Sequence, residues 1–328
     1  MDWEKERIHL QETILSSDFD FNEMALKIFQ LQYKFNAVYR MYLDKLHIDP
    51  KNIIEPDAIP FLPIQFFKYQ LIQTGTYQPE KVFYSSGTTG IQRSSHGIRS
   101  LFWYKKVAMH CFEYAFYPST VNSRKHLAFL PSYMDNDASS LLFMIQSFID
   151  EGGGGFYHEE ITKLIEVLTH NNPGGQPILW GVSYALHQWP ATLDLAGKVQ
   201  IIETGGMKGR GKEMTRSELH DQIKANFGVH EVFSEYGMTE MLSQAYASSN
   251  GHFRLPPTLK VMPRSITDPL SMESIAQIAA LNIIDLANLD SCCFIATEDI
   301  GKVYSNGDFE VVGRLDNSDI RGCNLLIS

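Results

Sequence analysis

Cysteine is scarce, positive charge is short and long apolar runs are missing, and each shortage removes a class of protein. Four cysteines in 328 residues, two of them adjacent (Cys292 and Cys293), cannot staple a secreted scaffold, and no Cys or His spacing forms a zinc pattern. That usage suits a reducing compartment. Lys and Arg number 28 against 38 Asp and Glu, so the net charge is −10 and the field repels polyanions rather than collecting them. Nucleic acid is not an expected partner. No run of about 18 uninterrupted apolar residues exists to span a bilayer, and the charged start Met1-Asp2-Trp3-Glu4-Lys5-Glu6-Arg7 leads into no apolar signal core. The expected location is the cytoplasm. The Walker spacing G-x-x-x-x-G-K-[ST], the dinucleotide fingerprint G-x-G-x-x-G and the nucleophile elbow G-x-S-x-G are absent too, as are internal repeats and low-complexity linkers.

What remains is an ordinary globular composition, 44% hydrophobic and 20% charged, long enough for one large domain or two. Phe21, Met24, Ile28, Leu31, Phe35, Val38 and Tyr42 step by three and four, which predicts one long core-packing helix over 21–42 rather than a coiled coil. Pro56, Pro60 and Pro63 then force an extended connection. Short apolar runs follow at 81–84, 126–130, 178–182, 199–204 and 229–233, separated by helical patterns such as 101–116 and 159–168. Such alternation predicts an α/β core with a mainly parallel sheet, whose strand ends are where chemistry belongs. From Cys293 onward short strand-like pieces alternate with turns, Asn306-Gly307 marking a hairpin.

The densest chemical signal is Tyr84-Ser85-Ser86-Gly87-Thr88-Thr89-Gly90-Ile91-Gln92-Arg93-Ser94-Ser95, directly after a strand run. Glycines turn backbone amides inward, and four hydroxyls with an arginine surround an anion such as a triphosphate well. A polar surface loop has the same composition, and composition alone favours it.

The wording of the loop decides otherwise. Ser86-Gly87-Thr88-Thr89-Gly90 resembles the phosphate loop of the adenylate-forming enzymes, the superfamily of acyl-CoA synthetases, firefly luciferase and peptide-synthetase adenylation domains. Tyr236-Gly237-Met238-Thr239-Glu240 resembles their Tyr-Gly-x-Thr-Glu motif, and Thr297-Glu298-Asp299 with Gly313-Arg314 resembles their ribose-binding Asp and the Gly-Arg after it. Further wording at 61–64, 283–289 and 319–323 looks like one branch, the acyl-protein synthetase family of bacterial bioluminescence (LuxE-type). The resemblance runs from about residue 55 to the end. With the helical pattern ahead of it as an N-terminal segment over 1–55, the resemblance implies an α/β adenylate-forming core over 56–290 and a β-rich portion over 291–328 with a Cys-bearing tail and no separate lid domain.

It also implies roles. Ser85, Ser86, Gly87, Thr88, Thr89 and Gly90 would close over the phosphates of ATP. Arg93 stands where many relatives have lysine and keeps the charge. Tyr236 would stack on adenine, with Gly205, Gly206 and Gly237 letting the base approach the backbone. Glu240, assisted by Thr239, would hold Mg²⁺, which favours hard oxygen ligands. Asp299 would accept the ribose hydroxyls beside Arg314. Fourteen residues follow Arg314, so the lysine-bearing lid of relatives has no counterpart; Lys208, Arg210 and Lys212 read as a solvated basic loop or as substitute charge. An acceptor other than coenzyme A follows from that. In the bioluminescence family a cysteine near the carboxyl terminus receives the acyl group, and Cys323 matches it, with Arg321 close enough to favour the thiolate. Cys111, Cys292 and Cys293 read as packing. The substrate implied is a carboxylic acid, a fatty acid in this branch, in an apolar tunnel to which the segments 180–186 (Trp180 and Ser183 among them), 130–133 and 140–144 contribute, though each also reads as plain core. The partner implied is an acyl-accepting reductase or carrier protein. Two readings stay open beside this one: transfer to a carrier or coenzyme A with Cys323 a bystander, and a nucleotide-binding protein that has lost turnover. Oligomeric state is not legible.

Overall fold

In a computed structural model the protein is described over residues 3–16, 18–86, 92–116, 121–131, 138–157, 160–170, 175–205, 214–248 and 250–315. Two compact units emerge from its contacts. One gathers Met1–Pro79, Ser94–Arg99 and Pro257–Ser328; the other holds Glu80–Arg93 and Ser100–Pro256. These boundaries fall elsewhere than the expected 55 and 290 because the N-terminal helices bond to the turn at 288–293.

In the first unit, strands Leu259–Arg264, Ala279–Asp285, Phe294–Val303 and Phe309–Arg314 form an antiparallel meander, and Leu62–Pro63 adds in parallel to Phe294–Val303. The expected hairpin sits between the last two, where Tyr304 N donates to Asp308 O at 2.8 Å and Gly307 takes φ +90°. The long helix expected over 21–42 is two helices, Phe21–Phe35 and Ala37–Lys45. Asn36 breaks it. Its backbone is extended (φ −105°, ψ 105°), closing the first helix while its side chain caps the second by accepting from Tyr39 N. The break shifts the buried stripe, so Tyr39 and Leu43 face the core rather than Val38 and Tyr42. Pro56–Ala58 is likewise a 3₁₀ turn, not extended chain, with proline at its first position where no amide is needed.

What fixes the helices is polar. Gln32, fully buried, accepts from Cys293 N at 2.9 Å and offers its amide to the carbonyls of Leu289 and Ser291 at 3.2 and 3.3 Å. Asn36 and Thr74 both donate to Ser291 O, at 2.9 and 2.5 Å. Arg7 binds Asp290 through both carboxylate oxygens, at 2.5 and 2.8 Å, and that aspartate is nearly enclosed. A buried turn with so many carbonyls needs these donors, since unpaired polar groups there would each cost about 1–3 kcal/mol.

The second unit holds the expected parallel sheet. Its order is Phe253–Arg254, Ala245–Ala247, Val232–Tyr236, Gln200–Thr204, Ile178–Val182, His126–Phe129, Gly154–Phe156, parallel from Val232–Tyr236 to the last and antiparallel at the first two. The fold class is thus α/β as read, and the strand expected at 229–233 lies three residues later. Helices Leu101–Phe116, Ser140–Gly152, Ile161–Thr169, Ser183–His187 and Arg216–Phe227 flank it. The glycine run at 152–155 is close approach rather than slack: a Cβ on Gly154 (φ +124°) would stand 1.9 Å from His126 O.

His126 anchors an aromatic core with Phe112, Phe148 and Trp180. Its Nδ1 accepts from Trp180 Nε1 at 3.0 Å, so Nε2 carries the proton toward Val121 O, also 3.0 Å. Trp180 is therefore core, the plainer of its two readings. Burial, with Arg124 adding to it, pushes His126 down to about 4. A histidine protonating more readily unfolded than folded gives stability that is complete above about pH 6.5 and lost as pH falls toward 4. Chemical denaturation should show wild type losing on the order of 3 kcal/mol more than His126→Gln between pH 7 and pH 4. Parallel losses in the two proteins would show that His126 does not set the acid limb.

Candidate active site

Where the parallel strands end, the second unit buries charge. Glu203, on a strand otherwise made of Gln200, Ile201, Ile202 and Thr204, is 4% exposed. Ser183, the first residue past the neighbouring strand, donates to its Oε2 at 2.5 Å and lies 2.8 Å from Gly205 O. From helix Arg216–Phe227, His220 Nε2 stands 3.0 Å from Ser234 Oγ and 3.7 Å from Glu203 Oε1, with Arg216 Nη1 at 3.8 Å. Burial alone would raise the Glu203 carboxyl; His220, the Arg216 guanidinium and the hydroxyls of Ser183 and Ser234 outweigh it and hold the group below the usual range. It is a carboxylate. On the opposite face of the sheet Thr204 Oγ1 donates to Glu235 Oε2. Glu235 is pushed up to about 7, first by burial and further by Glu203, against the Thr204 hydrogen bond.

Five of the expected site residues, Gly205, Tyr236, Gly237, Thr239 and Glu240, lie at or just past these strand ends. Gly205 follows Thr204 directly and takes φ +69°, a left-handed turn that favours glycine. Tyr236 closes its strand, is 9% exposed and packs on Phe253 with ring centroids 5.6 Å apart. After it Gly237 is exposed, Thr239 half-buried and Glu240 5% exposed. The first strand of this unit, Lys81–Tyr84, leads into Ser85 and Ser86. Arg93 folds back on that root: its Nε donates to Ser85 O, its Nη2 to Tyr84 O at 3.2 Å, and the guanidinium stacks on the Tyr84 ring at 5.6 Å. In the first unit, Asp299 and Arg314 are register partners on adjacent strands, with Arg314 Nε 3.1 Å from Asp299 Oδ1. Arg314 also lies 3.9 Å from Glu298, which accepts from Gln65 at 2.7 Å. Gly87, Thr88, Thr89, Gly90, Gly206, Lys208, Arg210, Lys212, Arg321 and Cys323 lie outside the described residues. Cys111, Cys292 and Cys293 are buried thiols, and burial pushes Cys292 up to about 12.

For a divalent cation the fit rests on donor chemistry. Glu240 and Thr239 offer one carboxylate and one hydroxyl, hard oxygens of the kind magnesium uses when substrate phosphates complete its shell. Among the described residues no group of three or more His, Cys, Asp or Glu stands ready to hold a metal by itself. Sequence reasoning placed Ser183 only within the acyl-lining stretch 180–186 and missed Glu203, His220, Ser234 and Glu235. A carboxylate inside an apolar strand run, at Glu203, was the available signal.

No protein-family model matches the chain, and no curated protein does. Solved structures do match in fold. An open conformation of 2-hydroxyisobutyryl-CoA ligase in complex with 2-HIB-AMP and CoA superposes with TM-score 0.67 at 11% identity, over 94% of this chain and 70% of that one. The same ligase in its thioesterification state gives 0.67 at 12%, over 94% and 68%. ATP-bound MatB from Rhodopseudomonas palustris gives 0.51 at 17% identity, over 71% of this chain and 47% of that one. The chain thus spans about half the length of the MatB structure it matches. At these identities the likeness is one of fold alone, an α/β fold shared with these structures. No described helix is long and apolar enough to cross a membrane.

The Arg93 fork generates a test. Lysine keeps the charge but cannot serve two carbonyls in one plane. If the loop holds ATP phosphates as the sequence resemblance implies, equilibrium binding should show Arg93→Lys and Arg93→Ala both weakening ATP affinity, by about threefold to tenfold for Lys. Wild-type affinity in Arg93→Lys would show that charge alone matters there.

Proposed function

We propose that the protein activates a carboxylic acid with ATP, forming acyl-AMP and pyrophosphate, and then passes the acyl group to a thiol, its own Cys323. One observation carries this reading: the motif Tyr236-Gly237-Met238-Thr239-Glu240 leaves the end of a central parallel strand, in a fold shared with ligases whose structures hold ATP or an acyl-AMP. That is where an open α/β sheet binds ligands.

Each side chain then has a task. Tyr236 presents a ring to adenine, and the left-handed turn at Gly205 exposes backbone to it, with Gly206 the next residue in the sequence. Residues 85–90 and Arg93 hold the phosphates, Arg93 by fixing the loop root and by its charge. Asp299 takes the ribose hydroxyls, oriented by Arg314. Glu240 and Thr239 hold Mg²⁺, which when bound neutralises charge on the phosphates. The acid's carboxylate oxygen attacks the α-phosphorus, the bond to the bridging oxygen breaks, and pyrophosphate leaves with the electron pair. Rate comes from positioning and from placed charge. The Cys323 thiolate then attacks the acyl carbonyl and AMP departs, leaving a thioester still activated for a second transfer. A fatty acid as substrate and a reductase or carrier protein as final acceptor complete the reading, as the resemblance implies.

Glu240→Gln preserves size and removes the charge that holds the cation. Acid-dependent exchange of pyrophosphate into ATP should fall by about two orders of magnitude or more with the melting temperature unchanged. Wild-type exchange in that variant would sink the assignment. For the second half-reaction, intact-mass measurement after incubation with ATP, Mg²⁺ and a panel of acids names the acid by its increment. Cys323→Ser should keep the exchange and lose the hydroxylamine-labile adduct, since a serine hydroxyl is a far weaker nucleophile near neutral pH. An adduct that persists in Cys323→Ser and disappears with another cysteine would move the acceptor there.

A further inference from the structure

One carboxyl group touches both backbone stretches on which the proposed adenine and cation contacts depend. Glu235 directly precedes Tyr236, and its Oε2 accepts from Thr204, the residue before Gly205. Its Oε1 lies under the motif itself: a Cβ built on Gly237 would stand 2.6 Å from that oxygen, with Gln244 Cγ at 3.4 Å. The strands Gln200–Thr204 and Val232–Tyr236 pair in parallel with Thr204 opposite Glu235, so the carboxyl bridges their last residues. Glycine at 237 is what lets the backbone lie on the carboxyl.

We propose that Glu235 is a positioning residue, whose carboxyl holds the Thr204–Gly205 turn and the Gly237 backbone in the arrangement that binds ATP. The inference rests on the nucleotide reading of those two segments and adds a proton to it. Facing the carboxyl are Thr204 from the neighbouring strand and Tyr246 from strand Ala245–Ala247, its register partner, while Glu203 acts on it electrostatically from the other face of the sheet. Cys111 and Tyr104 on helix Leu101–Phe116 act electrostatically on the Tyr246 phenol. No cation is among them. The Tyr246 hydroxyl, enclosed at 3% exposure, has no hydrogen-bond partner among the described residues. A half-buried carboxyl with a carboxylate nearby and a polyphosphate approaching favours its neutral form, with Thr204 still donating to it. ATP binding near neutral pH then takes up a proton from solvent at Glu235, and affinity falls as pH rises through about 7.

The test is ATP affinity by titration calorimetry at a fixed Mg²⁺ concentration, from pH 6 to pH 8.5, for wild type, Glu235→Gln, Thr204→Val and Thr204→Ser. ATP's own titration is common to all forms and cancels in their ratios. Glutamine mimics the neutral carboxyl, so wild type should match it at pH 6 and bind about fivefold to tenfold more weakly than it by pH 8.5. Thr204→Val removes the donor that opposes protonation and should move the midpoint of that loss to higher pH, while Thr204→Ser restores it. A merely structural contact would change affinity without moving a midpoint. Wild type and Glu235→Gln losing affinity in parallel, or a midpoint untouched by Thr204→Val, would overturn the proposal with ATP binding intact. Folded protein that binds no ATP at any pH would overturn the nucleotide reading, and this inference with it.

Discussion

A carboxylate enclosed at the ends of three parallel strands has to be satisfied from every side, and Glu203 is where the second unit meets that demand. Burying an uncompensated charge would cost more than most single contacts return. The structure supplies Ser183 from the start of the helix after one strand, Ser234 from the other neighbouring strand, and His220 and Arg216 from helix Arg216–Phe227. Each of these belongs to a segment that could otherwise slide. Satisfying one group thereby sets the relative heights of three strand ends, and from two of them issue Gly205 and the Tyr236–Gly237 turn. The site is held from below by chemistry it does not itself use.

Glu235 shows the same logic with the opposite sign. Glu203 has donors and a guanidinium around it and keeps its charge; Glu235, on the other face, has a single hydroxyl and a carboxylate neighbour, and is drawn toward neutrality. Two adjacent strands thus carry two acids in different states. Sequence alone does not separate them, because the difference lies in which face of the sheet each occupies and what packs there.

Much of the frame was legible from pattern. The strand at 178–182 and the helix at 101–116 follow directly from apolar runs and their period, and the Asn306-Gly307 hairpin from turn chemistry. What was not legible depends on long-range partners. Asn36 looks neutral within a helical stripe, and it breaks the helix because Thr74 and Ser291 claim its backbone and side chain from far along the chain. The strand at 229–233 slips to Val232–Tyr236 because Gly228 and the two residues after it finish the preceding helix and its turn, Gly228 in a left-handed conformation. Of the candidate site, the motif residues were visible in wording, whereas His220 and Ser234 carry no signal until the strands are aligned.

The likeness to solved structures is one of fold, and the motif residues carry the functional reading proposed above. Acid-dependent exchange of labelled pyrophosphate into ATP tests its centre most directly, because it needs adenylation and nothing after it. With Mg²⁺ and a panel of short, aromatic and long-chain carboxylic acids, the folded protein should catalyse exchange with at least one acid and show none when every acid is omitted. ATP bound to the folded protein with no exchange for any acid in the panel would contradict the account and leave a nucleotide-binding protein in its place.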